Sequence, residues 1–426
     1  MDLDAIPFPQ FLPLRRFLVV QEDKTRPCDN CKRSHLNEGL AVHTPVRLVS
    51  VDTVAEMARF LVGEVPPSVP FHGLTQFVAD HKDAYKQHRV REDHRRFAVI
   101  LALNPSSGEI SAFIPECLIF GEAAAVLGYN TVSYVYQALA RRLLGIAKIG
   151  YFDDFTALGL APSPDFEAPL GTLQDRLDRA LDPSTRVAAI SEEEDGLLQL
   201  AHVLWLGRIC GSRFKESKTL FGSSVKFLGL VSSFSRVSMR LGLAVTRIAA
   251  LLKILDSALR DDILVPELAG RLVGKLSFSQ GAVFGQLGRA YLFPLYRRQE
   301  VTSFVGFHLG PRLRFALRWW RTAIAHFPFA VDLPFAVKEA VPALVYSDAA
   351  LEARFCGRAA VCPTLREVCA ARGPPEIGAT IALEETLACL EALHAFGPRL
   401  AGRRIVFFVD NTATQGALVR GYSPHS

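Results

Sequence analysis

The segment from Tyr151 to Leu160 constrains the fold most, because it places two adjacent aspartates within an apolar stretch. Asp153 and Asp154 follow Tyr151-Phe152 and precede Phe155. This pattern predicts a strand, a tight turn and a second strand, with both carboxylates at the tip of a buried hairpin. An Asp-Asp pair alone is more often a solvated turn, so any function for this pair depends on further acidic residues elsewhere.

A second apolar run, Phe77-Val78-Ala79, ends in Asp80 and is followed by Asp83-Ala84-Tyr85-Lys86-Gln87. This pattern predicts a buried strand that carries an acid at its end. Nucleotidyl transfer uses two divalent ions, and Mg²⁺ prefers carboxylate oxygens. Aspartates at the ends of two strands suit that chemistry.

These segments carry a resemblance to reverse transcriptases. Asp80 to Gln87 resembles their motif A, and Tyr151 to Phe155 resembles their YxDD motif C. Phe120-Gly121 through Leu144 resembles motif B, a glycine turn leading into a helix under the nucleotide, although Leu118-Ile119 stands where the family usually has Leu-Pro. The resemblance implies that Asp80, Asp153 and Asp154 hold two Mg²⁺ ions, with Mn²⁺ as an alternative, and that Gly121 borders the nucleotide.

The same resemblance suggests residues that bind the incoming nucleotide. Tyr85 occupies the place of an aromatic residue that would clash with a 2′-hydroxyl, which favours deoxynucleoside triphosphates; the alternative is a plain core aromatic. Lys24 and Arg26 match the cations that hold the triphosphate. Lys218 matches a motif D lysine that could protonate pyrophosphate, and an exposed turn lysine is the alternative. Val225 to Gly229 resembles the primer-grip hairpin.

The C-terminal part returns to alternating strands and helices, predicted at 343–347, 381–395 and 404–409. Three acids stand in this pattern: Asp348 near a strand end, Glu385 on a helix whose Leu387, Leu390 and Leu393 we expect to face a core, and Asp410 after a strand. The pattern resembles the first three carboxylates of ribonuclease H. Glu384 competes with Glu385, and Ala388 favours Glu385 by matching the family's E-x-x-A helix.

These resemblances imply an α+β fold, in which a right-hand polymerase precedes an α/β ribonuclease H-like domain. We expect fingers and palm over residues 1–230, a helical thumb or connection over 231–338, and the ribonuclease H-like domain over 339–426. That last domain is expected to be incomplete at its C-terminus, without the family's fourth acid, which makes its nuclease activity doubtful. Residues 268–297, together with 345–349 and 407–411, look most like the tyrosine-recombinase (DIRS-like) retroelements.

The remaining expectations concern secondary structure outside these motifs. Residues 15–110 are predicted as strands and loops, with a buried strand at 97–103, and 122–144 as a long helix. Proline and acidic residues at 161–193 indicate an exposed insertion with one short helix. Helices are predicted from Arg247 onward, through 266–292 and 311–326.

Charge and composition are compatible with a nucleic-acid partner without proving one. The net charge is +5, and half of the residues are hydrophobic. With no basic, apolar leader and no membrane-length apolar run, we expect a soluble intracellular protein with reduced cysteines. Cys28 and Cys31 lack further zinc ligands nearby.

We expect an RNA or DNA template-primer and no membrane as partners. Basic faces at Arg314, Arg318 and Arg321 and at Arg271 and Lys275 could follow a phosphate backbone or simply be solvated.

Three functions remain open at this point. The first is an RNA-directed DNA polymerase. The second is a decayed retroelement product that binds nucleic acid without chemistry, against which the intact Asp80, Asp153 and Asp154 argue. The third is an RNA-templated RNA polymerase, against which Tyr85 and the ribonuclease H-like segment argue.

Overall fold

A computed structural model describes residues 1–20, 25–41, 46, 48–161, 175, 195–283, 287–301, 306–326, 329–335, 341–401 and 403–421. The expected insertion at 161–193 therefore lies almost entirely outside the described residues. The chain divides into two compact units, Met1–Arg240 and Leu241–Ser426. Both units combine helices with sheets, so the predicted α+β class is confirmed.

The first unit contains three helices and ten strands among the described residues, and an eleventh strand continues into the second unit. The helices are α1 (Val51–Glu64), α2 (Ala123–Leu144) and α3 (Asp195–Ile209). The strands are β1 (Pro13–Val20), β2 (Thr25–Asp29), β3 (Leu74–Asp80), β4 (Val99–Leu103), β5 (Ile110–Phe113), β6 (Ile149–Tyr151), β7 (Asp154–Leu160), β8 (Leu220–Gly222), β9 (Ser224–Phe227), β10 (Leu230–Phe234) and β11 (Ser238–Leu243).

Two four-stranded sheets organise this unit, in the orders β2-β1-β4-β5 and β6-β7-β3-β8. Every residue of β3 is buried. Phe77 and Ala79 pack against α2 and α3 on one face of the sheet, and on the other face Gln76 accepts a hydrogen bond from Ser232 of β10. The core beneath β3 and β7 contains Phe77, Phe155, Tyr136, Leu200 and Leu204. This sheet and its two helices fix the acidic ends of β3 and β7.

The predicted long helix at 122–144 and the strand–turn–strand at 151–160 are confirmed by α2 and by the β6–β7 pair. The prediction that residues 15–110 contain only strands and loops is wrong, because α1 lies within them. Ser50 and Thr53 form a capping box at its start. Val54, Met57 and Ala58 have helical spacing and are buried.

The second unit begins with a helical part. Its helices are α4 (Val245–Asp261), α5 (Pro266–Gln280), α6 (Phe293–Gln299) and α7 (Pro311–His326), followed by strand β12 (Ala330–Pro334). Leu251 and Leu255 of α4 and Leu317 and Trp320 of α7 are buried. The predicted helical period after Arg247 is therefore confirmed.

The rest of the second unit is a four-stranded sheet, ordered β15-β14-β13-β16, with two helices. Its elements are β13 (Ala343–Glu352), β14 (Phe355–Cys362), β15 (Glu367–Gly373), α8 (Ile381–Leu400), β16 (Ile405–Phe408) and α9 (Thr412–Arg420). The helix predicted at 381–395 is confirmed, but its predicted core face is wrong: Leu390 and Leu393 are exposed. The buried face instead carries Ala388, Cys389, Ala392 and Phe396, because the small side chains permit close packing on the sheet.

Candidate active sites

Strand register brings the sequence-predicted acids of the first unit together. β3 and β7 are antiparallel, and Asp80 lies directly opposite Asp154. Asp153 occupies the preceding turn, where Phe152 adopts a positive φ of 51°. The backbone N–H of His81 donates to the carbonyl of Asp153 at 3.0 Å, which ties the turn to the end of β3. We call Asp80, Asp153 and Asp154 the palm cluster.

Crowding of carboxylates shifts the pKa values in the palm cluster. Burial raises the pKa of Asp154 to about 6, and the charges of Asp153 and Asp80 add to this shift. Burial also raises the pKa of Asp153, with a further contribution from Asp80. Both shifts mean that the negative charges are costly without a neighbouring cation. Hard oxygen donors that repel one another fit a divalent ion such as Mg²⁺.

Lys218 is the cation nearest to this cluster. Its ammonium group forms an ion pair with the buried Asp80 carboxylate, and this partner raises the pKa of Lys218. The side chain of Lys218 is 56% exposed, so the pair opens toward solvent on the lysine side. The sequence-predicted lysine therefore lies at the acidic cluster and remains protonated.

A cavity of about 580 Å³ opens beside the cluster and is lined by Asp80 and Asp153. Its other charged lining residues are mostly cations: Arg16, Lys82, Lys86, Lys215 and Lys218. Arg16 forms two hydrogen bonds with Asp29, at 2.8 and 3.1 Å. The three lysines at 82, 86 and 215 were not singled out from the sequence, where they read as ordinary surface residues. A polyanion such as a triphosphate suits a pocket with this lining.

Tyr85 and Gly121 do not line this cavity, but both adjoin Phe120, which does. The ring of Tyr85 packs between Phe120 and Tyr129, at centroid distances of 4.8 and 5.1 Å. Gly121 has a φ of +98°, and a Cβ there would lie 2.7 Å from the carbonyl oxygen of Asp29. Glycine is thus required both by the backbone conformation and by the close approach of β2.

The predicted nucleotide-binding roles of Lys24 and Arg26 stay predictions. Lys24 lies outside the described residues. Arg26 belongs to β2 and pairs with Val19, but its side chain is likewise not described.

A buried lysine that the sequence analysis missed lies beneath the palm cluster. Lys148 is fully buried, and its ammonium nitrogen has no hydrogen-bond partner among the described residues. It lies 3.3 Å from the ring centroid of Tyr136 and 3.8 Å from that of Phe155. Burial lowers the pKa of Lys148 well below its usual value. A cation–π contact of about 2 kcal/mol does not offset a desolvation cost of several kcal/mol.

The second unit brings together Asp348, Glu385 and Asp410, which we call the C-terminal cluster. Each residue offers a carboxylate oxygen within 4.8 Å of those of the other two. Among the described residues, no other set of three aspartate, glutamate, histidine or cysteine side chains brings its ligand atoms this close together. β13 and β16 are parallel with Tyr346 opposite Phe408, so Asp348, which lies within β13, is level with Asp410 just beyond the end of β16. The palm cluster is more widely spaced.

Glu385 supplies the buried member of the C-terminal cluster. Its Oε2 atom is buried without a hydrogen-bond partner among the described residues. Burial raises the pKa of Glu385, and the charges of Asp410 and Asp348 add to the shift. An orphaned buried carboxylate oxygen next to two other carboxylates fits a divalent cation.

Glu384, the competing residue, has a different environment. Arg358 donates from Nε to Glu384 at 2.7 Å and from Nη1 to Glu391 at 2.6 Å. These two partners raise the pKa of Arg358. Glu384 is therefore neutralised within the domain, whereas Glu385 faces the two aspartates.

The basic helix faces are partly occupied by ion pairs. Arg314 pairs with Asp262 at 2.5 Å, Arg321 pairs with Asp256 at 2.6 Å, and Arg271 pairs with Glu267 on the same helix. Such exposed pairs contribute little to stability, but they reduce the positive charge that these faces offer.

No family profile and no curated protein matches this sequence. Among solved structures, the chain is similar to the foamy viral protease-reverse transcriptase in complex with double-stranded DNA, in two forms, at 11% and 13% identity and a TM-score of 0.47 for both. These matches cover 95% and 94% of this chain, and 59% and 70% of the viral chains. The same viral protein with an RNA/DNA hybrid matches at 11% identity and a TM-score of 0.47, over 97% of this chain and 47% of the viral one.

The chain thus spans about 59% of the length of the first of these structures. None of the helices in the described parts of the chain is long and apolar enough to cross a membrane.

Proposed function

We propose that this chain is an RNA-directed DNA polymerase of a retroelement. The observation that carries the proposal is the register that sets Asp80 opposite Asp154, with Asp153 in the adjoining turn, beside a cavity of about 580 Å³ lined by five cationic side chains. Acids that can hold metal ions, next to cations that can hold a triphosphate, are the two requirements of nucleotidyl transfer.

In this proposal each residue has a separate task. Asp80, Asp153 and Asp154 would hold two Mg²⁺ ions, for which Mn²⁺ could substitute. Such ions would supply activation of the primer hydroxyl and neutralisation of charge on the phosphates. Tyr85 excludes the ribose 2′-hydroxyl, and Gly121 lets the backbone approach the nucleotide. Lys24 and Arg26, with the cations of the cavity, bind the triphosphate. Lys218, protonated by its pairing with Asp80, donates a proton to the departing pyrophosphate.

The proposed partners are an RNA or DNA template-primer and deoxynucleoside triphosphates. The β9–β10 hairpin, with Leu230 opposite Phe227, would hold the primer end. The cations of α5 and α7 would contact phosphates by charge and shape rather than by sequence. The division at residues 230 and 338 and the DIRS-like subgroup belong to the same proposal and rest on sequence resemblance.

We further propose that the C-terminal cluster holds divalent ions for hydrolysis of RNA in a hybrid duplex. The closeness of Asp348, Glu385 and Asp410 and the orphaned oxygen of Glu385 support this assignment. Ions held by these three residues would supply an activated water and stabilisation of the leaving oxygen.

Primer extension tests the main proposal. The chain is incubated with an oligo(dT) primer on poly(rA) or poly(dA), dTTP, and Mg²⁺ or Mn²⁺, and Asp153→Asn serves as the inactive control. We expect extension on both templates by the wild-type chain only. Absence of extension with duplex binding retained would favour the second candidate, a decayed product that binds nucleic acid. Efficient incorporation of UTP would favour an RNA polymerase.

A further inference from the structure

One buried hydrogen bond lies between the palm cluster and the ring of Tyr85. His81 Nδ1 and Tyr129 Oη lie 2.8 Å apart. His81 is 3% exposed and Tyr129 is fully buried. Since no solvent can replace either partner there, the bond determines where the Tyr129 ring lies.

His81 is fixed by its surroundings on the other side. Its backbone N–H donates to Asp153, and its backbone also bridges to Phe214. The imidazole packs against Phe155 and Phe214, at ring-centroid distances of 4.7 and 4.5 Å. The histidine therefore moves only with the end of β3 and the aspartate turn.

Tyr129 is the rigid support of Tyr85. Of the two rings that flank Tyr85, Phe120 is 52% exposed, so it can yield when Tyr85 is pushed. Tyr129 is held inside α2 and contacts Tyr85 at 5.1 Å. A displacement of Tyr85 toward its buried side must therefore displace Tyr129.

We propose that the His81–Tyr129 hydrogen bond holds Tyr85 against the sugar of the incoming nucleotide and so sets the preference for deoxynucleotides over ribonucleotides. This inference rests on the proposed polymerase function. His81 and Tyr129 are positioning residues, because neither needs to touch the nucleotide. The contacts from Asp153 through His81 and Tyr129 to Tyr85 couple the proposed metal site to sugar selection.

Tyr129→Phe tests the proposal because it removes the hydroxyl and keeps the ring. The readout is the ratio of kcat/KM for dTTP to that for UTP on one primer-template. A hydrogen bond of this kind corresponds to a fall in the ratio of about three- to tenfold. Tyr296→Phe, the same change at an exposed position of α6, is the matched control and should leave the ratio within about twofold. An unchanged ratio in Tyr129→Phe overturns the proposal.

A double-mutant cycle separates positioning from general destabilisation. In a Tyr85→Ala background the ring that Tyr129 supports is gone, so adding Tyr129→Phe should not lower the ratio further. A further fall would show that Tyr129 acts by another route and would overturn the proposal.

A binding measurement keeps this test independent of polymerase activity. If the wild-type chain extends no primer, the proposed function fails, and competition of dTTP and UTP for the primer-template complex in Ca²⁺ then decides the inference. A preference for dTTP that weakens in Tyr129→Phe supports it. Equal preferences in the two proteins, or no binding of either nucleotide, overturn it.

Discussion

The two acidic clusters differ in the groups that surround their negative charges. In the palm cluster, Lys218 neutralises Asp80, and further cations line the adjacent cavity. In the C-terminal cluster, Asp348, Glu385 and Asp410 lie closer together, and a buried oxygen of Glu385 has no partner among the described residues. The first cluster therefore has a countercharge supplied by the chain, and we expect the second to depend more on a bound cation.

The largest expected effect tests whether the clusters serve separate reactions. Asp153→Asn should lower primer extension by about a thousandfold, since the lost ligand contributes several kcal/mol to metal-dependent stabilisation of the transition state. Asp348→Asn should do the same to cleavage of RNA in an RNA–DNA hybrid. Each variant is assayed for both reactions and should keep the other one. Loss of both reactions in either variant would break the distinction between the clusters.

The next effect concerns the role of the palm cluster's own countercharge. Lys218→Ala should lower the single-turnover extension rate about a hundredfold, as expected for loss of a general acid. Lys218→Arg keeps a cation beside Asp80, but a guanidinium does not release its proton. We therefore expect arginine to restore thermal stability without restoring the rate. Full recovery of the rate by arginine would mean that Lys218 acts only as a countercharge.

A smaller effect is expected from the buried lysine beneath the palm cluster. Lys148→Met should stabilise the protein by about 1–3 kcal/mol, because it removes a desolvated amine without a hydrogen-bond partner. The lowered pKa of Lys148 means that the unfolded chain binds a proton that the folded chain does not. Wild-type stability should thus rise with pH up to about 10.5 relative to the variant.

Urea midpoints of the wild type and Lys148→Met, compared at neutral and alkaline pH, measure this difference. The advantage of the variant should shrink as the pH rises. An advantage that does not change with pH would contradict a neutral amine in the folded state. Lys253→Met, at an exposed position of α4, is the matched control and should show neither effect.

The positions of the acids in both clusters were predictable from the sequence. Each acid lies in or next to an apolar strand, or on a helix, whose pattern of apolar residues is recognisable. The apolar runs beside Asp80 and Asp153 indicated strand ends, but their assignment to one site came from the resemblance to reverse transcriptase motifs A and C. The choice of Glu385 over Glu384 came from Ala388, which matches the E-x-x-A helix of ribonuclease H. Contacts between distant residues that no family motif indicates were not predictable. Lys148 reads as a surface lysine, and nothing local indicates that Tyr136 and Phe155 enclose it. The His81–Tyr129 bond likewise exists only because α2 packs on β3.

The smallest expected effect tests whether the C-terminal cluster depends on a bound cation. Without divalent ions, Glu385→Gln should stabilise the protein by about 1 kcal/mol. The change removes a negative charge that Asp348 and Asp410 repel, and it puts an amide group, which can donate a hydrogen bond, in place of the buried carboxylate oxygen. With saturating Mg²⁺ the order should reverse, since only the wild type gains the free energy of ion binding. Thermal melts in EDTA and in Mg²⁺ measure both differences.

Glu384→Gln is the matched control for this reversal. It weakens the ion pair with Arg358, so it should destabilise the protein by a similar amount in EDTA and in Mg²⁺. If the ion dependence follows Glu384 instead, the glutamate that completes the C-terminal cluster has been misassigned. If neither variant responds to Mg²⁺, repulsion within the C-terminal cluster is relieved by protonation of a carboxylate rather than by a metal ion. The two clusters would then differ in that Lys218 neutralises the palm cluster, whereas a bound proton neutralises the C-terminal cluster.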